Sequence, residues 1–282
     1  MKVCVCGKGG TGKSTIVMLL AYELTRRDKE VVVIDSDESN SGLYRILGLG
    51  HAPRPLIELA GGKKNVMPLM RQQADTLASH EGSRSVLIQP EIRVADLPTE
   101  FVVRMEGCCL IVVGKIHQAL EGCACPMGVL TREFLKRLHL SADEIAVVDM
   151  EAGVEHFGRG IETSVDAVMA VVEPSFESIA AAERIKELAT GAGARFAGVV
   201  VNKVSTGEIE RHVVSELSRR DIGVLGVIRH HQEIADVALL GQTLKGLKCA
   251  DGLACAEQIV PIADALEEFA HFEQPASALR DD

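Results

Sequence analysis

Tryptophan is absent from the chain, and with two tyrosines and seven phenylalanines the aromatic side chains make up only 3 % of its 282 residues. The core must therefore be aliphatic, built from Val, Ile, Leu and Ala, as buried parallel strands usually are. Long apolar runs are also lacking: none approaches the roughly 18 to 20 residues of a membrane-spanning helix. Met1-Lys2-Val3 leads straight into an apolar run, without the architecture of a signal peptide. Positive charge is in short supply, with 30 Lys and Arg against 40 Asp and Glu and a formal net charge of −10. Such a balance argues against the phosphate-neutralising surface of a nucleic-acid binder. These absences predict a cytoplasmic, soluble chain with neither nucleic acid nor membrane as partner.

What is present is a set of short Val/Ile-rich runs at 2–6, 31–34, 86–89, 110–113, 145–148, 167–172, 198–202 and 224–228. They are mostly unbroken rather than alternating, which suits strands covered on both faces. Helix-like stretches at 14–27, 178–190, 207–220 and 256–270 separate several of them. The alternation predicts an α/β fold with a mostly parallel sheet flanked by helices on both faces. Residues 1–273 read as one domain and 274–282 as a frayed tail. The longest irregular connections, 48–85 and 114–128, are where function tends to reside.

Gly7-Lys8-Gly9-Gly10-Thr11-Gly12-Lys13-Ser14 fits G-x-x-x-x-G-K-[ST] between an apolar strand and a helix, the context that a phosphate loop requires. Its glycines let backbone amides crowd around phosphate oxygens, and the helix start adds its positive end. Lys13 is expected to reach the β- and γ-phosphates, Ser14 to ligate Mg²⁺, and Thr15 to bond the α-phosphate. Asp35-Ser36-Asp37 and Asp149 close the second and fifth of these runs at their carboxyl ends, where ligands bind in open α/β sheets.

Lys8 exceeds what one phosphate pocket needs. With it, the loop resembles the deviant-Walker P-loop ATPases of the SIMIBI or MinD/ParA type, whose signature is GKGG-x-GKST. The resemblance implies a homodimer with ATP at the seam and Lys8 reaching the partner's phosphates, where a cation offsets charge on the transferred group as an arginine finger does. Asp149-Met-Glu-Ala-Gly153 resembles the family's D-x-x-x-G. By that resemblance Asp149 holds a water on Mg²⁺, Asp35 supports the metal shell, Asp37 orients the attacking water and the Gly153 amide senses the γ-phosphate. Lys8, Lys13 and Asp37 are then the catalytic set. The family further implies adenine-edge recognition by Asn202, next to Lys203, and backbone contacts from Ile228-Arg229-His230. Many relatives carry Pro where Glu38 and Arg229 stand here.

Eight cysteines in an intracellular chain read as buried thiols or metal ligands rather than a disulfide framework. Cys4 and Cys6 alternate with valines and are expected to pack as small apolar residues, and Cys108-Cys109 to be buried. Cys123-Ala124-Cys125 differs: it sits in a Gly/Pro-flanked loop before an amphipathic run. One C-x-C supplies two ligands where a soft metal ion takes about four, and two copies across a two-fold axis would complete the set. The GKGG loop, the C-x-C, "VVDMEAGVEHFGRG" and "VMAVVEPSFESI" together resemble the CooC-type accessory ATPases. Those proteins assist nickel insertion into carbon monoxide dehydrogenase. The resemblance implies Ni²⁺, or Zn²⁺ in vitro, on Cys123 and Cys125 at the dimer interface, with ATP/ADP and Mg²⁺ as cofactors and carbon monoxide dehydrogenase as client. Two other classes compete. A nitrogenase-reductase-like electron donor spaces its ligand cysteines far apart, and a membrane version of a positioning ATPase ends in a basic amphipathic helix, whereas this chain ends in Asp281-Asp282.

Overall fold

The computed structural model describes residues 1–37, 42–62, 66, 89–115, 125–153, 160–243 and 255–271. Its strands are β1 (Lys2–Cys6), β2 (Glu30–Asp35), β3 (Val103–Met105), β4 (Cys108–Val112), β5 (Glu144–Asp149), β6 (Ala167–Val172), β7 (Phe196–Val204) and β8 (Val224–Arg229). Seven of these coincide with the apolar runs. The expected run at 86–89 falls, but for Gln89, outside the described residues, as does the expected tail at 274–282. β3 was not foreseen. It is three residues long, too short to carry a pattern, and folds back antiparallel on β4 through a tight turn in which Gly107 takes a φ of +64°.

The helices are α1 (Lys13–Arg26), α2 (Leu43–Ile46), α3 (Leu56–Leu59), α4 (Cys125–Arg137), α5 (Phe176–Gly191), α6 (Gly207–Arg219), α7 (Gln232–Leu240) and α8 (Val260–His271). The expected helix over 256–270 divides into a 3₁₀ turn, Cys255–Ile259, followed by α8. Pro261 stands at the second position of α8, in the first turn, where its missing N–H has no intrahelical partner to lose.

The sheet runs β3-β4-β2-β5-β1-β6-β7-β8, and every pair except β3–β4 is parallel. Successive side chains of a strand leave on opposite faces, so one strand feeds two cores. Cys4, Cys6, Val32 and Ile34 enter a core roofed by α4, α5 and α6, with Phe134, Ile185 and Leu217 among its members. Val3, Val5, Val31 and Val33 enter the opposite one, beneath α1 and α8, with Ile16, Leu20, Ile262 and Leu266. Both cores are almost wholly aliphatic. Cys4, Cys6, Cys108 and Cys109 are buried free thiols, as expected.

α1 and α8 are joined by charge at the rim of their shared core. Glu23, buried on α1, takes Arg26 at 2.8 Å and Arg27 at 2.7 Å, and Arg27 reaches on to Asp264 at 2.7 Å and Glu267 at 2.6 Å. The acidic face of the last helix is thus partly consumed inside the fold. Among the described residues, no helix is long and apolar enough to cross a membrane.

β1 lies between β5 and β6. The chain winds outward from it in both directions, so the loop leaving β1 stands where a crevice opens at the carboxyl edge of the sheet.

Candidate functional site

The loop from Gly7 to Gly12 wraps against that edge, and its glycines are forced by space. Gly7 takes a φ of +144°, and a Cβ there would lie 2.4 Å from the carbonyl oxygen of Val171. At Gly12, φ is +92° and a Cβ would lie 2.3 Å from Nδ2 of Asn202. No other residue fits either position without moving its neighbour. The carbonyl of Lys8 gathers the loop inward, accepting from the Thr11 amide at 3.4 Å, the Thr11 hydroxyl at 3.0 Å and Lys13 Nζ at 3.4 Å. Lys13 is buried, whereas Lys8, Gly9 and Gly10 are exposed.

α1 begins at Lys13 behind Gly12, with no side-chain cap and no acidic residue in its first turn. Elsewhere the sequence supplies caps: the Ser175 hydroxyl accepts from Ser178 N at the head of α5, and the Thr206 hydroxyl from Ile209 N at the head of α6. The first amides of α1 keep their hydrogens directed toward the loop, the arrangement that receives a phosphate.

Three carboxylates line the crevice beside this loop. Asp35 and Asp149 end neighbouring strands in direct register. The Ser14 hydroxyl donates to Asp149 Oδ2 at 2.6 Å, while Asp149 Oδ1 is buried without a hydrogen-bond partner. Burial drives the Asp149 carboxyl up to about 7, with the nearby Asp35 charge pushing the same way and Ser14 and Lys13 opposing. Burial likewise raises Asp35, to about 6, against the pull of Lys115. An orphaned carboxylate oxygen beside a serine hydroxyl, at the mouth of a phosphate loop, suits a hard divalent cation with oxygen ligands. Such a charge would offset the burial that raises both groups.

A pH dependence follows. A carboxyl whose folded value lies above its unfolded 3.8 stabilises the fold below that pH and loses the contribution as pH rises through about 7. Without cation and nucleotide, the melting temperature should fall between about pH 4 and 7, with Asp149 accounting for up to roughly 4 kcal/mol. Asp149→Asn should flatten the slope, and Mg²⁺ with ADP should do so in the parent. Thermal melts across this range check it, and an unchanged slope in Asp149→Asn counts against it.

Asp37 is buried, with its amide donating to Asp35 Oδ1 at 3.2 Å. Lys115, which the sequence reading passed over, binds the same carboxylate. Its Nζ sits 2.8 Å from each Asp35 oxygen and also donates to the Asp37 carbonyl. Asp35 is thus paired with an internal cation, not simply open to a metal shell. A signal existed: Lys115 is a lone charge just past the apolar run LIVVG, at the same edge as Asp35 and Asp149. Gly153, with a φ of +96°, bridges back to Gly7 and donates its amide to the Gly7 carbonyl at 3.2 Å.

On the other side of the loop, a cavity of about 110 Å³ is lined by Gly12, Thr15, Asn202, Lys203, Arg229, His230, His231, Ile234 and Ala235. Asn202 Nδ2 donates to the Thr11 carbonyl at 2.7 Å, and its Oδ1 accepts from the Lys203 amide at 2.9 Å. The side chain therefore fastens the phosphate loop to β7 while forming one wall of the cavity. Lys203 takes a φ of +60°; its Nζ donates to the Gly10 carbonyl and lies 3.2 Å from Glu173. Ile228 is buried and lies outside the cavity lining. Arg229 is held by Glu210 at 2.5 Å and through its amide by Gln258 at 2.7 Å, and the His230 amide donates to the Val204 carbonyl at 2.9 Å. His231, Ile234 and Ala235 were not foreseen as lining, because α7 reaches this site only in the tertiary fold.

Cys123, with Glu38, His117, His156 and Cys249, lies outside the described residues. Cys125 is the first residue of α4. Among the described residues, no cluster of three metal-binding side chains occurs.

A phosphate loop at the central crossover of a parallel sheet, an uncapped helix behind it and an orphaned aspartate beside it define a P-loop nucleotide hydrolase. The chain belongs to the CobQ/CobB/MinD/ParA nucleotide binding domain family, whose model matches residues 3–244. It is an ATPase of that family, working with ATP and Mg²⁺. Among its relatives are an uncharacterized ATP-binding protein of Methanocaldococcus jannaschii, 41 % identical over 86 % of this chain and 94 % of that one. The carbon monoxide dehydrogenase accessory protein CooC of Rhodospirillum rubrum is 32 % identical over 95 % of this chain and 97 % of its own length. In fold the chain is similar to the septum site-determining protein MinD of Pyrococcus horikoshii, solved with Mg-ADP. That match has a TM-score of 0.66 at 16 % identity and covers 96 % of this chain and 97 % of that one.

Proposed function

We propose that this ATPase is a metallochaperone, holding nickel through Cys123 and Cys125 at a homodimer seam and assisting its insertion into carbon monoxide dehydrogenase. The observation that carries the reading is a coincidence within one chain: likeness to CooC over nearly the whole length, and a C-x-C pair whose second thiol opens α4. A thiol at a helix start is favoured as thiolate, the form that binds soft metals. Two pairs brought together by a two-fold axis give four sulfurs, and sulfur donors accept square-planar Ni(II) or tetrahedral Zn²⁺.

In the ATPase cycle Lys13 grips the β- and γ-phosphates and the amides at the head of α1 surround them. Ser14 and Asp149 take the Mg²⁺ shell, with Asp35 behind it, and the Gly153 amide meets the γ-phosphate. Asp37 orients the attacking water, and Lys8 of each subunit steadies the charge developing in the other. Thr15, Asn202 and Lys203 flank the nucleoside end, with Arg229 and His230 contributing backbone. Metal affinity changes with nucleotide state, which requires only that metal bind the two states differently.

Nickel titration with sizing, with and without ATP, tests the reading. The parent should bind about one Ni²⁺ per two chains, and Cys123→Ala with Cys125→Ala should bind none. Nickel retained at the parent's stoichiometry by the double variant would remove the assignment.

A further inference from the structure

One wall of the cavity beside the phosphate loop is set by a residue from late in the chain. Gln258, in the 3₁₀ turn before α8, accepts the Arg229 amide hydrogen on its Oε1 at 2.7 Å. Its Nε2 lies 2.5 Å from Nε2 of His231, a half-buried residue that lines the cavity. A backbone N–H can only donate, so the Gln258 oxygen faces Arg229 and its NH₂ faces His231. An amide NH₂ can only donate in turn, so His231 Nε2 accepts and carries no hydrogen. The ring is therefore the neutral tautomer with its hydrogen on Nδ1, and Nδ1 has no partner among the described residues. Other polar side chains of the same wall are already engaged: Asn202 with Thr11 and Lys203, Lys203 with Gly10 and Glu173, Arg229 with Glu210.

We infer that Gln258 is a positioning residue for the ATPase reaction, holding His231 as an Nδ1–H donor to an acceptor atom of the bound nucleoside. The inference rests on the reading that places the nucleoside end of ATP in this cavity, and it names a side chain that recognises it there. A histidine without a partner exchanges its hydrogen between the two ring nitrogens and offers a donor only part of the time. A bonded partner on Nε2 removes that choice. The ring nitrogens of adenine and the ribose oxygens are acceptors, so a fixed donor suits this ligand. Gln258 is itself well anchored. The 3₁₀ turn that carries it packs against α1 and β8, and α8 behind it is bound to α1 through Arg27 with Asp264 and Glu267.

Steady-state ATP hydrolysis and calorimetric binding of inorganic tripolyphosphate, on the full chain with Mg²⁺, test this. Gln258→Glu keeps the acceptor for Arg229 but turns the other end into an acceptor too, which requires the hydrogen on His231 Nε2. A neutral ring then has none on Nδ1. At alkaline pH, KM for ATP should rise about three- to tenfold with kcat kept, the scale of one hydrogen bond. Acidification gives the ring both hydrogens, so the KM ratio of variant to parent should shrink toward one. The charged and titratable groups around the pair are Lys203, Arg229 and His230, with Glu173 and Glu210, Glu233 and Asp236 on α7, and Glu257 beside Gln258. Both proteins share them, and they cancel in that ratio. His231→Ala should raise KM to a similar extent and leave Gln258→Glu without further effect. Tripolyphosphate, which has no nucleoside, should bind each variant as it binds the parent. A KM ratio flat with pH overturns the inference, as do additive effects at the two positions or equal weakening for tripolyphosphate. Ala235→Phe, which crowds the cavity from an exposed position on α7, separates the two claims. If KM for ATP is unchanged there, the nucleoside lies elsewhere and the reading falls with the inference. A raised KM there beside an inert Gln258→Glu defeats the inference alone.

Discussion

Lys8→Ala should lower kcat for ATP hydrolysis by about 10³-fold or more, the scale of a cation supplied in trans to a transferred phosphoryl group. Nucleotide affinity should change little. The loop is shaped by the backbone of Lys8, not by its side chain: the carbonyl holds Thr11 and Lys13, while the residue itself is exposed. Removing the ammonium therefore leaves the phosphate cradle standing and takes away only what reaches outward. Sizing should show the variant as a monomer under ATP conditions that pair the parent. Phosphate release, analogue binding and sizing on one preparation make the measurement. Turnover within a few fold of the parent would end the case for a shared site.

The second large effect is expected at Asp37. Asp37→Asn keeps shape and the amide that donates to Asp35, and removes only the carboxylate to which the proposed mechanism gives the orienting of water. Loss of a positioned base or orienting group is worth about 10² to 10⁴ in kcat. Unlike Lys8→Ala, this variant should still pair when ATP is added, and remain paired because the γ-phosphate is not released. The two substitutions thus give slow enzymes with opposite sizing profiles. If Asp37→Asn hydrolyses ATP at the parent rate, the water-orienting role belongs to another residue.

Much of this architecture could be read from the chain because its signals are local. Unbroken runs such as Val31–Ile34 and Ala167–Val172 announce strands covered on both sides, and the loop from Gly7 to Ser14 announces its own place between strand and helix. β3 escaped because three residues show no period, and because an edge strand paired antiparallel is defined by its turn. The contacts of Lys115 with Asp35 and of Thr131 with Ser36 span 80 and 95 residues of sequence. No local pattern encodes such meetings; they exist once β2, β4 and α4 are stacked. The roles of His231, Ile234 and Ala235 were hidden for the same reason. Asn202 was read as a base-recognition residue, and its hold on Thr11 became visible only with β7 placed beside the loop.

That last contact has an evolutionary consequence. Gly12 is small because Asn202 leans across it, and Asn202 is fixed because Thr11 receives its hydrogen. The set of the phosphate loop and the wall of the neighbouring cavity are accordingly one structural unit. A substitution that reshapes the cavity wall at Asn202 is felt in the same step by the phosphate loop, which constrains the side chains this corner of the molecule can accept.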